Sequence, residues 1–135
     1  MIFDHIGLFV HDIEEGRESL RKLFPISKVE DVVDDYYLGV SVQFCIDSSG
    51  VRYELVAPLT KKNPVSGVLD TGKNILNHVA YLVDDIKIES ERLRKEGCIQ
   101  LTKISKSKAF KGNMIVFFLT PMRFIIELIE SGKND

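Results

Sequence analysis

Residues 2–10 (IFDHIGLFV) alternate along a strand-like period of two and are rich in branched and aromatic side chains. Asp12 then reads as a helix N-cap, with Glu15 at the third helical position completing a capping box. Ile13, Leu20, Leu23 and Phe24 form an apolar stripe that Pro25 ends, so the pattern predicts a helix after the first strand. Lys28 to Val33, Val40 to Ile46 and Val51 to Ala57 read as three further strands, the last two joined by the turn-forming Asp47-Ser48-Ser49-Gly50. The predicted order is β-α-β-β-β. Residues 59–76 break this pattern. Asn63-Pro64 is a helix start, Val65, Val68 and Leu69 supply one apolar side, and Gly72 is the stop, which together predict a short linking helix. The β-α-β-β-β order then returns: strand Asn77 to Val83, helix Ile86 to Glu96 ended by Gly97, and strands Ile99 to Ile104, Met114 to Leu119 and Arg123 to Glu130. Ser105 to Asn113 is a polar, cationic surface loop.

The order returns because the sequence does. Asp4 to Leu23 laid on Asn77 to Glu96 gives 8 identities in 20 positions without a gap, the mark of an internal repeat. Tyr53-Glu54-Leu55-Val56 lies over Ile126-Glu127-Leu128-Ile129 at the same offset of 73 residues. The expected organisation is one domain over 1–135, made of module 1 (1–58), a linker helix (59–76) and module 2 (77–135). Each module has only about 60 residues, near the lower limit for folding alone, so the two are expected to depend on each other.

Composition narrows the class. A formal net charge of −2 gives no basic field for nucleic acid. No apolar run approaches the roughly 18 residues of a membrane span, and no basic, cleavable leader pattern opens the chain. A cytoplasmic protein is expected. Cys45 and Cys98 are neither a C-x-x-C pair nor related by the repeat, and they read as buried, reduced thiols.

The chemistry lies in four residues. His5 and His78, and likewise Glu54 and Glu127, are related by the 73-residue offset. Alternation puts His5 on one face with Gly7 and Phe9, and Glu54 with Arg52 and Val56. By the same logic His78 joins Ala80 and Leu82, and Glu127 joins Ile125 and Ile129. A carboxylate inside Phe124-Ile125-Ile126-Glu127-Leu128-Ile129 demands a partner when buried. Two imidazoles with two carboxylates suit one divalent transition ion, such as Ni, Co, Mn, Zn or Fe, better than calcium. His11 lies outside the alternating strand, has Asp84 as its counterpart, and reads as surface.

These segments, Asp4-His5-Ile6-Gly7-Leu8-Phe9-Val10, Glu54-Leu55-Val56-Ala57-Pro58-Leu59, the run Asn77 to Ile86 and Ile126-Glu127-Leu128-Ile129-Glu130, resemble the vicinal oxygen chelate superfamily. Within it the chain is most similar to methylmalonyl-CoA epimerases and to bacterial glyoxalase I enzymes (lactoylglutathione lyases). The resemblance implies an α+β fold of two tandem βαβββ modules, forming a curved sheet around a metal-containing cup. It places His5, Glu54, His78 and Glu127 as the metal ligands. Extradiol dioxygenases of the superfamily hold iron with two His and one Glu, whereas Glu54 fills a fourth position here. Bleomycin-resistance-type relatives lack the ligands.

The expected function is therefore a metal-dependent isomerase that moves a proton at a carbon next to a carbonyl. Glyoxalase I chemistry on a glutathione hemithioacetal is the first reading, and methylmalonyl-CoA epimerisation of an acyl-CoA thioester the alternative. A non-catalytic, small-molecule or antibiotic-binding protein is the third. Glu127 is the expected proton carrier with Glu54 as its symmetry mate. Arg52 is the expected partner of a substrate carboxylate. Lys103, Lys106, Lys108 and Lys111 read as a solvated charge run, and a homodimer is expected.

Overall fold

The computed structural model describes residues 1–71 and 75–132. These fall into two compact units, one spanning His5–Asn77 and one made of Met1–Asp4 with His78 onward. No helix among the described residues is long and apolar enough to cross a membrane.

The His5 unit holds β1 (Ile2–Phe9) from His5 on, with α1 (Ile13–Leu23), β2 (Ile26–Val29), β3 (Val33–Asp35), β4 (Val40–Asp47) and β5 (Arg52–Pro58). Its strands run in the order β2-β4-β5-β1, with β3 also on β4. β1 is parallel to β5, and β4 antiparallel to it. Asp12 accepts a hydrogen bond from the Glu15 amide at 2.9 Å, as a helix N-cap should. Leu20 faces Val10, Cys45, Leu55 and Ala57 in the core. Leu23 and Phe24 depart from the expected stripe: Leu23 is 73% exposed, and Phe24 stacks on Tyr53 with ring centres 5.5 Å apart. Cys45 is fully buried, and burial pushes its thiol pKa up against the pull of Arg17 and Arg21.

The His78 unit repeats the order with β6 (Ile75–Val83), α2 (Ile86–Lys95), β7 (Ile99–Gln100), β8 (Ser105–Lys106), β9 (Met114–Leu119) and β10 (Ile125–Glu130). The strand order is β6-β10-β9-β7, with β8 also on β9. α2 ends where Gly97 takes φ +91°; the Cys98 amide then reaches the Leu93 carbonyl and the Gly97 amide that of Arg94. Leu93 and Ile86 pack on Val83, Val116, Phe118 and Leu128. Cys98 is only half-buried, short of the full burial expected for it.

In both units the single outer strand expected from the sequence is two short ones. Val29 faces Cys45 and Val33 faces Val42, so the edge chain takes four steps where β4 takes three. Gln100 faces Phe118 and Ser105 faces Ile115, five steps against three on β9. The surplus residues leave the ladder as a bulge, which also makes the edge a poor template for pairing with another chain.

The linking segment forms a turn and a 3-10 helix over Val68–Thr71 rather than an α-helix. The Asn63 side-chain oxygen accepts from the Val65 and Ser66 amides at 2.8 Å each, and Val65 and Leu69 are buried. The expected stop at Gly72 lies outside the described residues. The segment is tied to the turn before β4 at Gly39, whose carbonyl accepts from the Leu59 and Thr60 amides. Gly39 has φ +76°, and a Cβ there would overlap the Lys62 carbonyl oxygen.

Candidate metal centre

One face of β1, β4 and β5 is covered by α1, through Leu8, Cys45, Tyr53 and Leu55. On the other face Glu54 lies opposite Gly7 of β1 and Phe44 of β4. Two residues before Gly7, on the same face, His5 brings Nε2 to 3.3 Å from a Glu54 carboxylate oxygen. His5 is 0% and Glu54 5% exposed, so the carboxylate is desolvated beside a nitrogen ligand. Phe44 sets its ring at 79° to the imidazole, centres 5.3 Å apart, and limits how His5 can turn. The Arg52 guanidinium carbon lies 4.3 Å from the centre of the same Phe44 ring.

The His78 unit builds the same set. Glu127 lies opposite Ala80 of β6 and Phe117 of β9. His78 Nε2 is 3.2 Å from Glu127 Oε1, and both residues are 2% exposed. Phe117 meets the imidazole at 82° and 5.2 Å. The opposite face of these strands packs through Val116, Phe118 and Leu128 against α2. Ile125 occupies the place that Arg52 holds in the other unit.

Each pair thus offers one imidazole nitrogen and one carboxylate oxygen, buried and aimed at each other. Such an N and O donor set fits a divalent transition ion, whose charge offsets the desolvated carboxylate. The ion itself is not fixed by this donor set. Of the other residues singled out from the sequence, Arg52 lies on the same strand face as Glu54. His11 and Lys103, Lys106, Lys108 and Lys111 are exposed. Phe44 and Phe117 were not singled out, although they are separated by the same 73 residues as the His and Glu pairs. Extending the repeat onto the third long strand of each module would have found them.

The model of the Glyoxalase/Bleomycin resistance protein/Dioxygenase superfamily matches residues 4–118. Among curated proteins the chain is 28% identical over 128 residues to an ethylmalonyl-CoA/methylmalonyl-CoA epimerase of Cereibacter sphaeroides, covering 94% of this chain and 93% of that protein. It is 25% identical over 136 residues to the uncharacterized protein YqjC of Bacillus subtilis, covering 98% and 93%. Among solved structures, a methylmalonyl-CoA epimerase superposes with a TM-score of 0.79 at 24% identity, covering 98% of this chain and 97% of that one. A Streptomyces coelicolor methylmalonyl-CoA epimerase in complex with 2-nitronate-propionyl-CoA gives 0.78 at 21%, covering 98% of both chains. At these identities the structural likeness is one of fold. The relatives named here put the epimerase alternative ahead of the glyoxalase I reading that came first from the ligand set. With more than four fifths of its length matched by the family model, the chain belongs to the glyoxalase/bleomycin resistance/dioxygenase superfamily.

Proposed function

We propose that this chain is a metal-dependent isomerase that inverts the carbon next to the thioester carbonyl of a 2-carboxyacyl-CoA, of which methylmalonyl-CoA is the type. One observation supports it above the rest: a buried His-Glu pair with a Phe beside it, repeated in the same strand register in both units, in a chain related to an ethylmalonyl-CoA/methylmalonyl-CoA epimerase. His5, Glu54, His78 and Glu127, all buried and all of ligand type, would hold one divalent ion. When bound, that ion supplies a positive charge to the carbonyl oxygen that turns negative as the neighbouring proton leaves, an effect worth several kcal/mol.

The rest falls to the chain. Inversion needs one group to take the proton and another to return it from the opposite side, and the two modules supply one glutamate each. Glu127 is the proposed carrier and Glu54 its counterpart. Within each unit the carboxylate has apolar strand neighbours, Phe44 and Val56 for Glu54, Phe117 and Ile129 for Glu127, which would keep bulk water from the carbanion. The active form is proposed to be a homodimer in the cytoplasm; a monomer-sized species in sedimentation overturns the first part.

The test is loss of the α-proton signal of methylmalonyl-CoA in deuterated buffer, by apoprotein reloaded separately with cobalt, nickel, manganese, zinc or iron. The methylglyoxal–glutathione hemithioacetal is run in parallel and followed as thioester absorbance. Exchange of the first with silence of the second is expected. The reverse outcome returns the lead to glyoxalase I, the reading that a carboxylate at Glu54 favours. Silence in both, with ligand still bound, makes the chain a binding protein. Glu127→Gln should keep metal and lose exchange; metal bound with turnover intact removes Glu127 as the carrier.

A further inference from the structure

We infer that Arg52 is the specificity residue of this site: it receives the free carboxylate of the substrate and restricts the protein to acyl thioesters that carry such a carboxylate on the reacting carbon. The inference rests on the proposed epimerase reading and adds a substrate criterion to it.

Position is the first argument. Arg52 lies two residues before Glu54 on β5, so both side chains leave the strand on the helix-free face. The guanidinium carbon is 4.3 Å from the Phe44 ring centre, which is 5.3 Å from the His5 ring centre. Guanidinium and imidazole therefore lie no more than 9.6 Å apart, the sum of those two distances. A carboxylate and a thioester carbonyl on one carbon are close neighbours, so a substrate reacting beside His5 and Glu54 brings its carboxylate within the sweep of this arginine.

Chemistry is the second. Arginine can rest on an aromatic ring and still present a planar fork that matches a carboxylate, which lysine does not do. A carboxylate-bearing acyl group entering beside a buried glutamate also meets repulsion that a nearby cation offsets. On the helix-free face of β1, β4 and β5, Arg52 is the one arginine or lysine among the described residues. Lys28, farther out on β2, is exposed and paired with Glu30 at 3.8 Å.

The repeat supplies the third. His, Glu and Phe recur at the 73-residue offset, but the counterpart of Arg52 is Ile125. The equivalent strand is thus built with isoleucine at this place, so the fold does not require the arginine. A carboxylate-bearing substrate has one free carboxylate to hold, and one arginine is what it needs.

The experiment compares binding of methylmalonyl-CoA with that of isobutyryl-CoA, which has a methyl group in place of the carboxylate, to metal-loaded protein by calorimetry. Wild type should prefer methylmalonyl-CoA. Arg52→Gln should weaken methylmalonyl-CoA by roughly 10- to 100-fold, the worth of a charge-assisted pair, and leave isobutyryl-CoA within about twofold. Arg52→Lys should recover part of the loss, and it carries the test if the glutamine variant does not fold. In turnover the effect should fall on KM more than on kcat. Equal weakening of both ligands, or of neither, overturns the inference. The epimerase reading fails separately, if wild type shows the carboxylate preference yet exchanges no α-proton.

Discussion

The turns that lead into β5 and β10 stand at equivalent places in the repeat and are built from different residues. In the first, the Asp47 amide donates to the Val51 carbonyl at 3.0 Å; in the second, Thr120 donates to Phe124 at 2.9 Å. Asp47 and Thr120 are both buried, and both close their turn with a side-chain oxygen. The fourth residue of each turn is left-handed, Gly50 at φ +90° and Arg123 at φ +72°. Gly39 and Gly112, at φ +76° and +80°, form another such pair before β4 and β9. The duplicated chain therefore preserves backbone geometry and the buried His-Glu pairs, while the side chains that supply the turn chemistry, and the residue two before each glutamate, have diverged.

Four experiments break or sharpen that comparison. The largest effect should come from His5→Ala and His78→Ala: if both units contribute to one ion, each substitution alone should weaken metal binding by well over about 100-fold, more than loss of an outer-shell partner does. Metal analysis that finds one variant unaffected would assign the ion to a single unit. Next is Gly39→Ala, where a left-handed backbone and a clash with the Lys62 carbonyl act together. It should lose more than about 2 kcal/mol in denaturant unfolding. Open space around Gly50 makes its own alanine variant the milder case, at about 1 kcal/mol. Arg123→Gly should change stability in the opposite direction by a similar or smaller amount, because it relieves the same strain at the equivalent place. Equal signs for these two turn variants would break the equivalence.

The smallest effect is one of pH. The Ser49 hydroxyl, assisted by the Val51 and Ser49 amides and the Tyr53 hydroxyl, holds the Asp47 carboxyl below its ordinary range despite burial. A folded pKa below the unfolded one stabilises above the unfolded value and is lost as pH falls through the folded value. Wild type should thus lose stability below about pH 4, around the ordinary carboxylate pKa. Asp47→Asn should flatten that part of the curve. The Thr120 turn has no titrating group at this place, so Thr120→Ala should lower stability without changing the slope.

Much of this was legible from residues alone, for a physical reason. A buried carboxylate in a strand as apolar as Ile125–Glu130 stands out because it needs a partner, and its recurrence with a histidine at one offset named all four ligand-type residues. The first helix was legible through Asp12 and the end of the second through Gly97, whose roles are local. The broken outer strands were not, because a bulge depends on how many residues β4 and β9 present opposite, and this is set by pairing rather than by propensity. The exposure of Leu23 was missed for a similar reason: α1 lies so close to β1 that a Cβ on Gly16 would come within 3.1 Å of Val10, and this approach decides which helix residues reach the core. The linker kept its Asn63 start but stayed a 3-10 turn, since Val65 and Leu69 bury its apolar side within one short loop.

The pairing of Arg52 with Ile125 also bears on how such a protein can change. Where two separate, identical half-length chains come together, every mutation appears twice, and a cation gained on one side is gained on the other. Joining the copies into one gene lets each strand vary alone. A fused chain can keep both histidine–glutamate pairs under the same constraint while a single neighbouring codon drifts toward a new ligand, and the reciprocal exchange of arginine and isoleucine at these two positions would move that innovation from one half to the other.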